Sequence, residues 1–161
     1  MQIVIPMSGF GERFRKAGYD IPKPLIRVND KPLIQHVVEM FPGENNFTFI
    51  CNKDHIRERS FNMRKTLEEL SPDGRIIEID PHKLGPVHAV LQSVDSIDLS
   101  LPTIVNYADF SCFWNYKKFL KAIEDSDCDG AIPAYKGFHP HSLRGNYYAY
   151  IRETDKWVSD I

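Results

Sequence analysis

Apolar residues recur along this chain in two alternating rhythms. Gln2–Ile5 is a short β-rich run. Leu33, Ile34, Val37, Val38 and Phe41 then fall at helical spacing, with Pro32 in the first turn, where its missing N–H costs nothing. Phe47–Cys51 predicts a strand. Ile56, Met63, Leu67 and Leu70 form a helical stripe on a charged segment. Ile76–Ile79 predicts a strand, and Val87, Val90, Leu91 and Val94 predict a helix. Thr103–Asn106 predicts another strand, and Tyr116, Phe119, Leu120 and Ile123 another helix. Ala131–Ala134 and Tyr147–Arg152 read as further strands, and the polar stretch 138–146 reads as a surface loop. Strands alternating with helices predict an α/β fold: a Rossmann-like three-layer αβα sandwich with a mainly parallel sheet. No internal repeat or linker divides it, so residues 1–161 read as one domain.

This architecture predicts where chemistry gathers. In open α/β sheets, ligands bind outside the carboxyl ends of the strands. The first strand ends at the loop from Gly9 to Arg13, the third at Asp80–Gly85, and the fourth at Asn106–Asp109. If the strands are parallel, all three loops share one rim.

Residues Met7 to Pro24 are the most informative stretch. Gly9 and Gly11 follow the first strand and let backbone N–H groups face a ligand. Arg13 and Lys23 add positive charge, so the stretch looks like a cradle for a triphosphate. Two common phosphate motifs fail on residue identity. The dinucleotide fingerprint needs a small residue where Phe14 stands, and there is no Gly-Lys-Ser/Thr run. Plain alternatives stand beside each residue. Arg13 also belongs to a surface basic run with Arg15 and Lys16. Lys23, made extended by the following Pro24, reads by default as a solvated loop lysine, with reach to an α-phosphate as a point charge as the other reading. Gly85-Pro86 opens a helix and offers backbone to a base edge, or is a plain helix start. Asp109, just past a strand, suits Mg2+ in a phosphate site, or simply caps the next segment. His88 reads as lying on the exposed side of its helix. His139 and His141 are a poor metal signal, because zinc needs three or four converging ligands.

Composition narrows the classes. Twenty Lys and Arg against 22 Asp and Glu leave a net charge of -2, which argues against a nucleic-acid partner. No apolar run approaches the length of a membrane span, so no membrane partner is expected. Cys51, Cys112 and Cys128 stand far apart and read as reduced, buried thiols, in keeping with the cytoplasm.

The segments GFGERF, IPKPLI, LGPVHAV and VNYADF, in that order and spacing, resemble the sugar-phosphate nucleotidyltransferase family. The resemblance spans nearly the whole chain. It implies transfer of an NMP from an NTP to a sugar 1-phosphate or similar phosphomonoester, with release of pyrophosphate, for nucleotide-sugar or surface polysaccharide synthesis. Its partners would be the NTP, the phosphorylated sugar and Mg2+. The nucleotide-binding set it implies is Met7, Ser8, Gly9, Phe10, Gly11, Gly85 and Pro86. Arg13 would bind the departing pyrophosphate, Lys23 would stabilise the α-phosphate, and Asp109 would hold Mg2+.

Departures from the family pattern are Pro6-Met7 in place of small residues, Pro86 in place of Thr, and Glu12 in the phosphate loop, expected to point outward. The family's Glu-Lys sugar-binding motif and second metal-binding aspartate are absent, so the chain is expected to be a C-terminally truncated fragment, and exposed strand edges could drive a homo-oligomer. The rival readings are a nucleotide-binding module without catalysis, a glycosyltransferase, and a dinucleotide-dependent oxidoreductase. The last lacks a ribose-binding acid after the second strand, where Cys51, Asn52 and Lys53 stand.

Overall fold

The computed structural model describes residues 1–138, 143 and 149–161. The chain divides into two compact units, Met1–Tyr116 and Lys117–Ile161. The first begins with β1 (Gln2–Met7), α1 (Glu12–Lys16), the hairpin β2 (Arg27–Val28) and β3 (Lys31–Pro32), and α2 (Leu33–Val38). It continues through β4 (Phe47–Asn52), α3 (Lys53–Arg57), α4 (Met63–Leu70), β5 (Arg75–Ile79), α5 (Pro86–Gln92) and β6 (Thr103–Val105). Four strands form one parallel sheet in the order β5-β4-β1-β6. Helices flank it, as the alternating pattern requires.

Strand register follows burial. β1 and β4 are buried at every residue, as central strands of a parallel sheet are. Val4 pairs with Thr48 on one side and Val105 on the other. Side chains alternate between faces. On one face Val4, Ile50 and Ile79 pack with Ala89 of α5. On the other, Phe47 and Phe49 stack with centroids 5.9 Å apart. Phe41 meets Phe47, Trp114 and Tyr116 edge-on there. Each such buried side chain contributes about 1.5–3 kcal/mol. Gln2, fully buried on the Val4 face, is satisfied by Thr103, Arg75 and the Asp98 backbone.

The sheet order places a topological switch point beside β1. From β1 the chain adds β4 and then β5 on one side, and β6 returns to the other. Loops leaving β1 and β6 therefore diverge, and a crevice opens between them at the carboxyl end.

Several expectations need correction. Ala131–Ala134 forms no strand. Of the strand expected over Tyr147–Arg152, Tyr147 and Tyr148 lie outside the described residues; the described strand is β7 (Arg152–Thr154), paired antiparallel with β8 (Trp157–Asp160). The helical stripe from Ile56 to Leu70 is two helices, because Glu58 bonds the Ser60 N–H and Asn62 takes φ 50° between them. Pro32 precedes α2 as its cap, not inside its first turn. Lys23 is not extended: Lys23–Leu25 is a 3-10 turn, which tolerates Pro24 where no N–H is needed. Of the cysteines only Cys51 is buried, with burial pushing its thiol well up; Cys112 is exposed, because the Asp109–Asn115 segment has no regular structure. α6 (Tyr116–Ser126), whose first residue ends the first unit and whose remaining residues begin the second, carries its predicted period. His139 and His141 lie outside the described residues.

Candidate functional site

At the carboxyl end of the sheet, in the first unit, lies a cleft of about 520 Å³. Three segments build it: Met7–Phe14 from the end of β1 into α1, His82–Pro86 between β5 and α5, and Tyr107–Asp109 after β6. Lys23 and Pro24 close the remaining side. The loop after β4 contributes nothing, because α3 starts at once from an Asn52 cap whose side chain accepts the Asp54 N–H.

Each loop is fastened by its own chemistry. Gly11 caps α1 at φ 65°, a left-handed conformation that favours glycine. Gly85 caps α5 at φ 89°, again a glycine position. Pro86 then starts the helix. Asn106 continues the β1 ladder by donating its N–H to the Val4 carbonyl at 3.0 Å. Its side-chain amide donates to the Tyr107 and Phe110 carbonyls at 2.8 and 3.2 Å. Those bonds fold the loop that presents Asp109.

The charges are arranged in pairs. Lys23 Nζ forms an ion pair with the Asp109 carboxylate across the cleft. It also lies 4.8 Å from the Phe14 ring centre, a cation–π contact. Glu12 pairs with Lys83, whose hydrogen bond and charge hold its carboxyl below the usual range. Glu12 thus lines the cleft with its charge already matched, and ties the glycine loop to the loop after β5. Arg13 lines the cleft and has no ion pair among the described residues.

Of the residues singled out from sequence, Met7, Ser8, Gly9, Gly11, Arg13, Lys23, Gly85, Pro86 and Asp109 all line this one cleft. Phe10 does not; its ring lies under Lys83 Nζ, 5.7 Å from the centroid. Sequence reasoning missed Phe14, His82 and Tyr107 as lining residues. Their only signal was position: His82 and Tyr107 sit in loops already expected on the rim, and Phe14 follows Arg13 in the first turn of α1. The placement of His88 needs correction: it is half-buried, and although Val90 packs against the core, Val87 does not. Val87 and Leu91 are 70% and 62% exposed, while the His88 ring packs against His82 at 4.7 Å. The inward face of α5 is set by Ala89, fully buried against β1, because only a small residue lets the helix approach the sheet.

A family model described as nucleotidyl transferase matches residues 3–142. The chain belongs to that family. Among curated relatives, the bifunctional protein GlmU of Ralstonia pickettii (strain 12J) is 36% identical over 109 residues, 68% of this chain and 22% of that protein. The UTP–glucose-1-phosphate uridylyltransferase YngB of Bacillus subtilis (strain 168) is 32% identical across 55% of this chain and 36% of its own length. The chain therefore spans about a fifth of the length of the GlmU relatives it matches. Among solved structures, a UDP-glucose pyrophosphorylase complexed with UDP-glucose superposes with a TM-score of 0.56 at 23% identity, over 79% of this chain and 54% of that one. HddC from Yersinia pseudotuberculosis, complexed with GMP-PN, gives 0.54 at 22% identity, over 77% and 54%. Both share the α/β fold of this chain.

Proposed function

We propose that this cleft binds a nucleoside triphosphate and that the protein transfers its NMP to a sugar 1-phosphate or similar phosphomonoester. The observation behind this is the convergence of the glycine loop, Arg13, Lys23, Gly85 and Asp109 on one cleft in a chain of this family. A phosphate oxygen of the acceptor attacks the α-phosphorus. The bond from that phosphorus to the oxygen bridging the β-phosphate breaks, and pyrophosphate leaves. No side-chain nucleophile is required. The protein positions the reactants and offsets charge. Gly9 and Gly11 leave room for the phosphates along the backbone. Arg13 holds the departing pyrophosphate through its planar fork. Lys23 shifts from Asp109 to the α-phosphate as charge develops there. Pro86 and Gly85 bound the base side of the cleft.

The donor set fits Mg2+ carried in with the nucleotide. Asp109 already holds a cation, the Lys23 ammonium, and Mg2+ in phosphate sites takes one or two carboxylates with phosphate oxygens. No cluster of three or more His, Cys, Asp or Glu side chains suited to a metal exists among the described residues, so those residues alone build no metal cage. When bound by Asp109, Mg2+ would supply charge neutralisation at the α-phosphate.

The test is a thermal-shift panel with CTP, UTP, GTP, ATP, dTTP and NAD, each with and without Mg2+, followed by pyrophosphate release with sugar 1-phosphates. A ligand at about 100 times its dissociation constant adds roughly 2.7 kcal/mol. A Mg2+-dependent shift with one NTP, and pyrophosphate release, supports transfer and names the base. A shift with NAD alone would replace it with a dinucleotide site. Binding of an NTP without pyrophosphate release would support a nucleotide-binding module.

A further inference from the structure

The hydrogen bonds around His82 leave one arrangement of its protons. Nδ1 accepts the Leu84 N–H at 3.2 Å, so Nδ1 bears no hydrogen. The neutral ring then carries its proton on Nε2, which stands 3.4 Å from Ser8 Oγ. Nε2 donates and the hydroxyl oxygen accepts. The bond is long and has room to tighten when a ligand engages Ser8. Ser8 is only 5% exposed, lines the cleft, and has no second side-chain partner among the described residues. A hydroxyl that accepts from an imidazole keeps its own proton for another acceptor. The His88 ring, reaching over from α5, meets the His82 ring edge-on and holds its plane.

We propose that His82 is a positioning residue for the nucleotide: it orients the Ser8 hydroxyl as a donor to a phosphate oxygen and so couples the loop after β5 to the glycine loop. This rests on the nucleotidyl-transfer reading. A buried hydroxyl whose oxygen already accepts keeps its proton to donate, and the bond it makes to an anionic phosphate oxygen is roughly twice as strong as one to a neutral acceptor. His82 itself touches Ser8, not the reacting atoms.

The experiment is a double-mutant cycle read by calorimetric titration of the intact protein. The probe is whichever of Mg2+-CTP, UTP, GTP, ATP or dTTP the unaltered protein binds best, with its unphosphorylated nucleoside as control. Ser8→Ala and His82→Phe should each weaken triphosphate binding about tenfold, and the double substitution no more than either alone, because one hydrogen bond is lost once. His82→Gln, which restores an N–H donor, should recover most of the loss. Nucleoside binding should be the same in all of these proteins, and melting temperatures report folding separately. Additive losses in the double variant, or equal losses for nucleoside and triphosphate, would overturn the proposal. If the unaltered protein binds no triphosphate, the transfer reading falls and takes this one with it. If it binds one and His82→Phe binds it equally well, only the role of His82 falls.

Discussion

Asp109 and Lys23 face each other across the cleft as an ion pair, so each substitution there removes half of a matched pair. Asp109→Asn keeps the shape of the loop, because the bonds that fold it come from Asn106. It should lower turnover of the intact protein about 10²–10³-fold, the scale of losing one preorganised charge contact. Its melting temperature should change little. Arg13→Ala should act similarly, since Arg13 is exposed in the cleft and supports no buried contact. Full activity in either variant, measured by pyrophosphate release, would remove that residue from the site.

His55 makes a pH prediction away from the cleft. It is 5% exposed, its Nδ1 has no partner among the described residues, and its ring lies edge-on to Phe61. Burial, then the Arg15 charge, holds it below the ordinary value of 6.5. The unfolded chain takes up this proton near 6.5, and the folded chain resists it. Stability from this group is therefore full above that value and falls as pH drops from it toward the depressed folded value. Urea midpoints measured from about pH 7.5 down to about 5.5 should fall less steeply in His55→Phe than in the unaltered protein.

At the scale of elements, α5 matters most, because it joins the core to the cleft. Its first residue follows Gly85, and its buried Ala89 touches β1, β4 and β5 side chains. Ala89→Leu would overfill that contact at a cost of about 1–3 kcal/mol. The displaced helix would also move Gly85, so triphosphate affinity should fall together with the urea midpoint. A variant destabilised with unchanged affinity would separate α5 from the site. The hairpin β2–β3 is a smaller case. Asn29 and Asp30 take φ 48° and 61° at its tip, the conformation a two-residue hairpin turn demands and Asn and Asp tolerate. The Asn-Asp pair was a readable signal, but two-residue strands carry too little alternation to read as strands.

Across the whole molecule, protection should follow the sheet. The amides of β1 and β4 are buried, bonded on both sides and central, so their hydrogen exchange should be the slowest in the chain. The edge strand β6, with Val105 56% exposed, should exchange faster. Equal protection in β6 and β1 would mean that another strand covers that edge. No helix among the described residues is long and apolar enough to cross a membrane.

Hydrophobic period and local turn chemistry determined the strand–helix alternation of the first unit, and with it the rim on which the loops meet. The glycine loop, Arg13, Gly85 and Asp109 were legible because each stands next to a strand end or helix start, whereas Lys23 stood out only as a cation beside the glycine loop in the IPKPLI segment. Three things were decided only in three dimensions. The strand order put the switch point beside β1, and order depends on contacts between residues far apart in sequence. The inward face of α5 went to Ala89 rather than to Val87 and Leu91, because closeness of backbone approach, not hydrophobicity, governs that contact. The pairing of Lys23 with Asp109, Glu12 with Lys83, and His82 with Ser8 joins residues that no spacing rule connects, since side-chain reach across a cleft is set by the fold around it.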